Sequence, residues 1–382
     1  MTQQGALSGI RVLDLSRMLP GPYCSMILAD HGAEVIAIED RKFQEDGLFF
    51  NDLNRNKSHM SLNLKTPEGL EIFFKLAARA DVILEGFRPG VVQRLGVDYE
   101  AVRQCNPRII YCSISGYGQT GPLRNRVGHD VNYIGNAGIL GLIGEKGRKP
   151  VIPGVQIADI AGGSMNAAVG ILLALFAREK TGKGQYIDIS MTDGVVGLLS
   201  LTYYFSMLNG QKQQAADTLL SHRYGCYNTY ETADGRFVAI GAVENRFWKR
   251  LCEHLNRPDY ISLQYDEKSK EEIIHDLRRI FFTKTMAEWE AELAGLEVCF
   301  AAVKNLEEIL TDPLFREREM VHSYTGENGE EKHGFGIPVK LSETPGTIRT
   351  LPGKFGAQTH KILEEIGYSA EQIDTFFSAG VL

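Results

Sequence analysis

Ile10-Arg11-Val12-Leu13-Asp14-Leu15 is followed by Pro20-Gly21-Pro22 and then by Glu34-Val35-Ile36-Ala37-Ile38. The first run is a short apolar strand. Pro20-Gly21-Pro22 breaks it and leaves Pro22 near the start of a helix over 23–30, where proline's missing N–H is tolerated. Gly32 ends that helix, and the third run is a second strand. Strand, helix and strand in this order form a βαβ unit. The unit implies a parallel sheet covered by helices, an α/β fold.

The pattern recurs further along. Thr66-Pro67 opens a helix over 68–79, ahead of the strand Asp81-Val82-Ile83-Leu84-Glu85. A helix over 99–105 precedes Arg108-Ile109-Ile110-Tyr111-Cys112-Ser113. A long helix over 162–179 precedes Tyr186-Ile187-Asp188-Ile189-Ser190, and Thr192 is expected to cap a helix running on toward Met207. After Asn209 the texture changes. Residues 211–217 are polar and read as a linker. Residues 227–243 alternate in strand fashion, with Asp234-Gly235 as a hairpin turn. Charge-rich helices over 246–255, 270–281 and 285–294 follow, the last with Gly295 as its stop. They complete a second, smaller α+β domain. From Gly334 the chain is strand-like and turn-rich, with a late helix over 359–366.

With 382 residues, 43% of them hydrophobic, the chain can fill a core and is too long for one typical domain. A net charge of -7 and the lack of any Lys/Arg run exclude generic attraction to nucleic acid. Any anionic ligand must then be held by local basic residues. The six cysteines are scattered, with no C-x-x-C pair, so no zinc or redox motif is expected. Such cysteines suit a reducing, cytoplasmic setting. The N-terminus lacks a basic-then-apolar signal, and the C-terminus is not a peroxisomal address. The longest apolar run, 165–177, is interrupted by Asn166 and Gly170. It reads as a buried helix too short to span a bilayer, so no membrane partner is expected.

Several residues carry chemistry, each with a plainer alternative. His129, in Gly128-His129-Asp130, is an acid/base candidate or an ordinary loop histidine. Asp159, just ahead of the long helix, is a helix cap or a base or nucleophile beside backbone N–H groups. Glu244, after Phe237-Val238-Ala239-Ile240-Gly241, is a surface acid or a group that orients an imidazole across a cleft. Arg88, in Gly86-Phe87-Arg88-Pro89-Gly90, lies past the carboxyl end of a strand, where α/β sheets bind ligands, and reads as a phosphate clamp or a surface arginine. Arg17, Asn54, Arg55 and Lys57 add to the same electropositive pocket, or 54–57 is a solvated turn. Gly116-Tyr117-Gly118-Gln119-Thr120-Gly121 fits G-x-G-x-x-G, yet Pro122 follows where a helix should open, so it reads as a glycine loop. Met26, Met191, Met207 and Tyr204 line an acyl path or belong to the core.

Together these stretches resemble the family III CoA-transferase and α-methylacyl-CoA racemase superfamily along nearly the whole chain. The carrying segments are 20–36, 85–90, 115–122, 128–133, 158–165, 182–194 and 238–244. The resemblance implies a Rossmann-like large domain from both ends of the chain, 1–205 and 330–382, with a smaller α+β domain, 226–318, inserted through linkers at 206–225 and 319–329. It implies an interlocked homodimer, with each active site between the large domain of one subunit and the small domain of the other. It also implies coenzyme A, as an acyl-CoA thioester, for the substrate, with no metal.

Both branches of the superfamily carry the aspartate matching Asp159. In the transferases it is a nucleophile that passes through an aspartyl-CoA thioester. In the racemases it pairs with the histidine matching His129, with a glutamate matching Glu244 as partner. The set His129, Asp130, Asp159 and Glu244 is the racemase set, and the glycine run of formyl-type transferases is missing near Gly241. The expected activity is therefore racemisation at the α-carbon of a 2-methyl-branched acyl-CoA, with CoA transfer as the alternative. Gly128, Arg88, Arg17, Asn54 and Lys57 are the expected CoA contacts. After the second strand, where the family often has a basic residue, this chain reads Glu39-Asp40, and Arg41 is expected to substitute.

Overall fold

Val12 and Leu13 are fully buried, so the first strand, Arg11–Asp14 (β1), is apolar on both faces. That is the signature of a strand covered by helices on two sides. A computed structural model describes residues 5–44, 51–210, 212–325 and 329–382. Five strands join β1: Glu34–Glu39 (β2), Lys57–Ser61 (β3), Val82–Glu85 (β4), Ile110–Ser115 (β5) and Gln185–Ser190 (β6). All pair in parallel, in the order β3-β2-β1-β4-β5-β6. The order reverses between β1 and β4, and ligands of doubly wound sheets bind in the crevice at such a point.

The helices of this sheet follow from local chemistry. Pro20–Asp30 (α1) begins at Pro20, so both prolines occupy its first turn. Pro67–Ala77 (α2) is capped by Thr66, whose hydroxyl accepts from Gly69 N at 3.0 Å. Val91–Leu95 (α3) and Tyr99–Cys105 (α4) precede β5, and Asp130–Asn136 (α5) follows it. Ile362 and Leu363 near the C-terminus pack with Leu13, Phe73 and Tyr111 in one core. Gln358 and Thr359 bind β3 through the amides of His59 and Ser61, which returns the end of the chain to the sheet edge.

Three expectations are corrected. The long helix does not start at Gly162. A π-helical stretch, Ala158–Met165, leads into the α-helix Asn166–Thr181 (α6). Nor does Thr192 cap a helix reaching Met207. Ser190 is the cap, accepting from Asp193 N, and the helix divides into Met191–Gly197 (α7) and Ser200–Asn209 (α8). Finally, α6 is not buried all round. Ala158–Thr181 is long and apolar enough to cross a membrane, yet Ala167, Ile171 and Ala174 bury one side of it. Arg178 anchors its end to Asp81 at 2.8 Å. The other side leaves Val169, Leu172, Leu173 and Phe176 exposed.

The chain divides into two units. One comprises Met1–Ala137, Pro153–Leu198 and Arg316–Leu382, and the other Gly138–Ile152 and Leu199–Phe315. The second unit holds an antiparallel sheet of Tyr227–Glu231 (β7), Phe237–Gly241 (β8) and Phe300–Ala302 (β9). The turn between β7 and β8 spans 232–236, longer than the two-residue hairpin that Asp234-Gly235 suggested. Trp248, Trp289, Phe281 and Tyr230 fill this unit's core.

Candidate active site

Asp130 organises the site. It is the first residue of α5, and its Oδ1 accepts from Ala158 N at 2.6 Å and from Asp159 N at 3.0 Å. A half-buried carboxylate that accepts two backbone amides fixes the turn that presents them. His129, the residue before it, is exposed, and its own amide donates to Asn132 Oδ1 at 3.0 Å. The imidazole therefore stands at the open side of a tightly held corner. Asp159 is half-buried within the π-helical turn and caps no helix, so the plainer reading of this residue fails.

Burial, reinforced by the neighbouring Asp130 carboxylate, pushes the Asp159 carboxyl up to about 6, while His129 pulls the other way. A carboxyl titrating there exchanges a proton at little cost near neutral pH. His129 and Asp130 thus both act electrostatically on Asp159, with opposite sign.

Glycines make room for this corner. Gly162 lies against α7, where an added Cβ would sit 2.4 Å from Met191 O. Gly194 lies against Gly162 in turn, 2.3 Å from its carbonyl oxygen if given a Cβ. Such close backbone approach excludes any side chain. π-Helical turns of this kind frequently occur at functional sites, because they widen the turn that carries the reactive group.

Tyr133 braces the opposite wall. Its hydroxyl donates to Gly128 O, and its ring lies over Gly116 and Gly128. A Cβ on Gly116 would fall 2.4 Å from that ring. Burial and the Asp159 charge push the Tyr133 phenol up to about 12, while Arg88 opposes the shift. Arg88 is exposed and makes no ion pair among the described residues. The glycine loop opens no helix: Gly118 and Gly121 adopt positive φ, and Asp188 accepts from Gln119 N at 3.0 Å.

At the crevice beside β1, β2 and β4 is a cavity of about 290 Å³. Arg17, Asn54, Lys42 and Lys65 line it with Phe87 and Phe355. Arg17 and Asn54 are thus in the cavity wall, and Arg88 is not among the residues that line it. Lys57 lies deeper, with its ammonium donating to Pro22 O at 2.9 Å and 3.8 Å from Asp14 Oδ2. Burial pulls that ammonium down to about 8. Arg55 is occupied by Asp30, at 2.6 Å. Arg41 is exposed in the turn after β2, and Asp40 caps that turn through Lys42 N. Glu39 is committed elsewhere, to His59 Nδ1 at 2.7 Å and Gly356 N at 3.0 Å.

Glu244 belongs to the second unit. It follows β8 and is exposed as the first residue before the helix Asn245–His254, with no side-chain cap. Gln264 and Tyr265 hold its bend, both donating to Val243 O. Of the proposed acyl-path residues, Met26 and Met191 are buried, and Tyr204 and Met207 are exposed. No group of three or more His, Cys, Asp or Glu able to hold a metal occurs among the described residues.

The profile of CoA-transferase family III matches residues 7–359. The chain belongs to this family. Members of CoA-transferase family III act on CoA thioesters, and this chain is an enzyme of that superfamily. It is similar to the α-methylacyl-CoA racemase of Homo sapiens, 36% identical over 96% of this chain and 95% of the relative. It is also similar to the succinyl-CoA:mesaconate CoA-transferase of Haloarcula hispanica, 33% identical over 95% of this chain and 97% of that one. Among solved structures, a CAIB/BAIF family protein from Brucella suis has a TM-score of 0.83 and 27% identity, covering 95% of this chain and 100% of that one.

Tyr133, Lys42 and Lys65 join the candidate site from the structure alone. Tyr133 had a signal: an aromatic five residues after Gly128, in the same short stretch as His129 and Asp130. The two lysines had none, because isolated surface lysines look alike in a sequence.

Proposed function

We propose that this enzyme is an acyl-CoA racemase or epimerase that moves the α-proton of a 2-methyl-branched thioester. The observation that carries the reading is the corner in which Asp130 holds the backbone of Asp159 beside His129. A nucleophilic carboxylate needs no imidazole beside it. Proton traffic between two faces of a carbon needs two groups, each able to hold and release a proton near neutrality. One group takes the α-proton and leaves a thioester enolate. The other returns a proton to the opposite face. In this reading backbone N–H groups of the site steady the enolate oxygen.

In this reading the nucleotide end of CoA occupies the crevice cavity, with Arg17, Asn54 and Lys65 near its phosphates and Arg88 at the rim. Gly128 leaves the backbone open to the thioester, and Arg41 faces the adenine side. Lys57 supports the cavity floor through Pro22. Glu244 is assigned to orient His129 from a second subunit of an interlocked homodimer. The apolar side of α6, with Leu173 at 64% and Phe176 at 63% exposure, supports a face covered by another copy. All six cysteines are free thiols, in keeping with a cytoplasmic enzyme.

The second reading is CoA transfer through an Asp159 thioester, favoured by the comparable similarity to a transferase. Deuterium exchange at the α-carbon of a chiral 2-methylacyl-CoA separates the two. Racemisation requires exchange. Transfer leaves the α-proton in place and gives an Asp159 adduct that hydroxylamine releases.

A further inference from the structure

Glu85 ends β4 and is 1% exposed, and the acid/base chemistry leaves it without a task. In register beside it stands Ser113 of β5, and beside Ser113 stands Asp188 of β6. Neighbours in parallel register point to the same face of the sheet. Two carboxyls and a hydroxyl therefore form one row across three strands, at the carboxyl end of β4 and two residues short of the ends of β5 and β6. Each carboxyl grips a loop. Glu85 Oε2 accepts from Phe87 N at 2.6 Å, and Asp188 accepts from Gln119 N at 3.0 and 3.2 Å. The first loop, 86–90, puts Phe87 on the wall of the crevice cavity and carries Arg88 next to it. The second, 116–121, runs under the Tyr133 ring that braces Gly128.

We propose that Glu85 is a positioning residue for CoA binding: by holding the Phe87 amide it sets the loop that presents Phe87 and Arg88 to the ligand. The proposal rests on the acyl-CoA reading above. It also predicts a pH dependence. Burial pushes the Glu85 carboxyl up to about 7, against the pull of the Ser113 hydroxyl and the Phe87 amide, and the Asp188 charge adds to the rise. The other ionisable groups coupled to it are Tyr111 and Cys112 of β5 and Tyr186 of β6. Burial pushes all three up, so they stay neutral through this range and Asp188 is the charge that matters. An ionised carboxylate grips an amide about twice as strongly as a neutral one. The loop is thus held more firmly above pH 7 than below it.

The test is calorimetric titration of the full-length chain with CoA at pH 6, 7 and 8. The wild type is compared with Glu85→Gln, Glu85→Ala and Asp188→Asn. CoA's own phosphate contributes a pH dependence common to all. Beyond it, the wild type should tighten a further three- to tenfold between pH 6 and 8, and Glu85→Gln should not. Glu85→Gln keeps an acceptor oxygen, so it should match the wild type at pH 6. Asp188→Asn should move the wild-type transition to lower pH, because the like charge is gone. Glu85→Ala should bind weakly throughout. Should the alanine variant fail to fold, the glutamine comparison still decides. Parallel profiles for wild type and Glu85→Gln would overturn the role of Glu85 while leaving the CoA reading intact. A wild type that does not bind CoA at all would remove both.

Discussion

Asp130 holds Asp159 by its backbone: Oδ1 of one accepts the amide proton of the other at 3.0 Å. The same oxygen takes the amide of Ala158, so one side chain fixes the turn in which Asp159 lies. Asp130 is thus a positioning residue whose loss should act on turnover. Asp130→Ala should lower kcat for α-proton exchange about 100-fold with a small change in KM, since misplacement of a catalytic group by an ångström has that effect. Asp130→Asn keeps an acceptor oxygen and should recover a good part of the loss. Equal kcat in all three proteins would remove the positioning role.

Asp159→Asn should separate stability from activity. Unfolded, an aspartate titrates near 3.8, and in the fold Asp159 is pushed up to about 6. Between those values the folded chain holds more protons than the unfolded one. The native carboxyl therefore destabilises increasingly as pH rises through that window, and fully above it. The variant should be the more stable protein at pH 8, by about 1–2 kcal/mol after allowing for solvent at a half-buried site. The gap should close by pH 4, with activity lost throughout. Urea unfolding at both pH values checks it, and a variant less stable at pH 8 contradicts it.

Gly162 tests the packing behind the site. Its absent Cβ would lie 2.4 Å from Met191 O, a backbone atom that no rotamer change can move. Gly162→Ala should cost about 1–3 kcal/mol of stability and shift the π-helical turn. Activity should fall even where the protein stays folded. Wild-type stability and rate in this variant would show that the contact between α7 and this turn is looser than described.

The apolar face of α6 tests the assembly. Leu173→Glu together with Phe176→Glu changes two exposed residues and no buried one. Sedimentation at micromolar concentration should give a dimer for the wild type and a smaller species for the variant. A monomeric wild type would remove the interlocked dimer, and with it the assignment of Glu244 to a second subunit.

Much of the fold could be read from the chain before its structure. The βαβ texture of 10–38 led to a parallel sheet because strands buried on both faces must be continuously apolar, as Val12 and Leu13 are. The helix over 270–281 was read to the residue, because its charges and apolar positions alternate at helical period. The π-helical turn at Ala158–Met165 escaped, since it depends on glycines meeting α7 from elsewhere in the sequence. The exposed side of α6 escaped for a related reason: an apolar run says that something covers it, not what. In the site, His129 and Asp159 were visible as residue types. The hydrogen bonds of Asp130 were not, because they join positions 28 and 29 residues apart through backbone amides. The burial of Lys57 was likewise invisible, since it follows from the closure of β3 over α1.

The most direct test of the account is solvent deuterium incorporation into each epimer of a 2-methylacyl-CoA. The wild-type enzyme should place deuterium at the α-carbon starting from either epimer. His129→Ala and Asp159→Ala should each abolish racemisation, because each removes the group that serves one face. An enzyme that leaves the α-proton untouched while moving CoA from one carboxylic acid to another would contradict the two-base reading and leave Asp159 as a nucleophile.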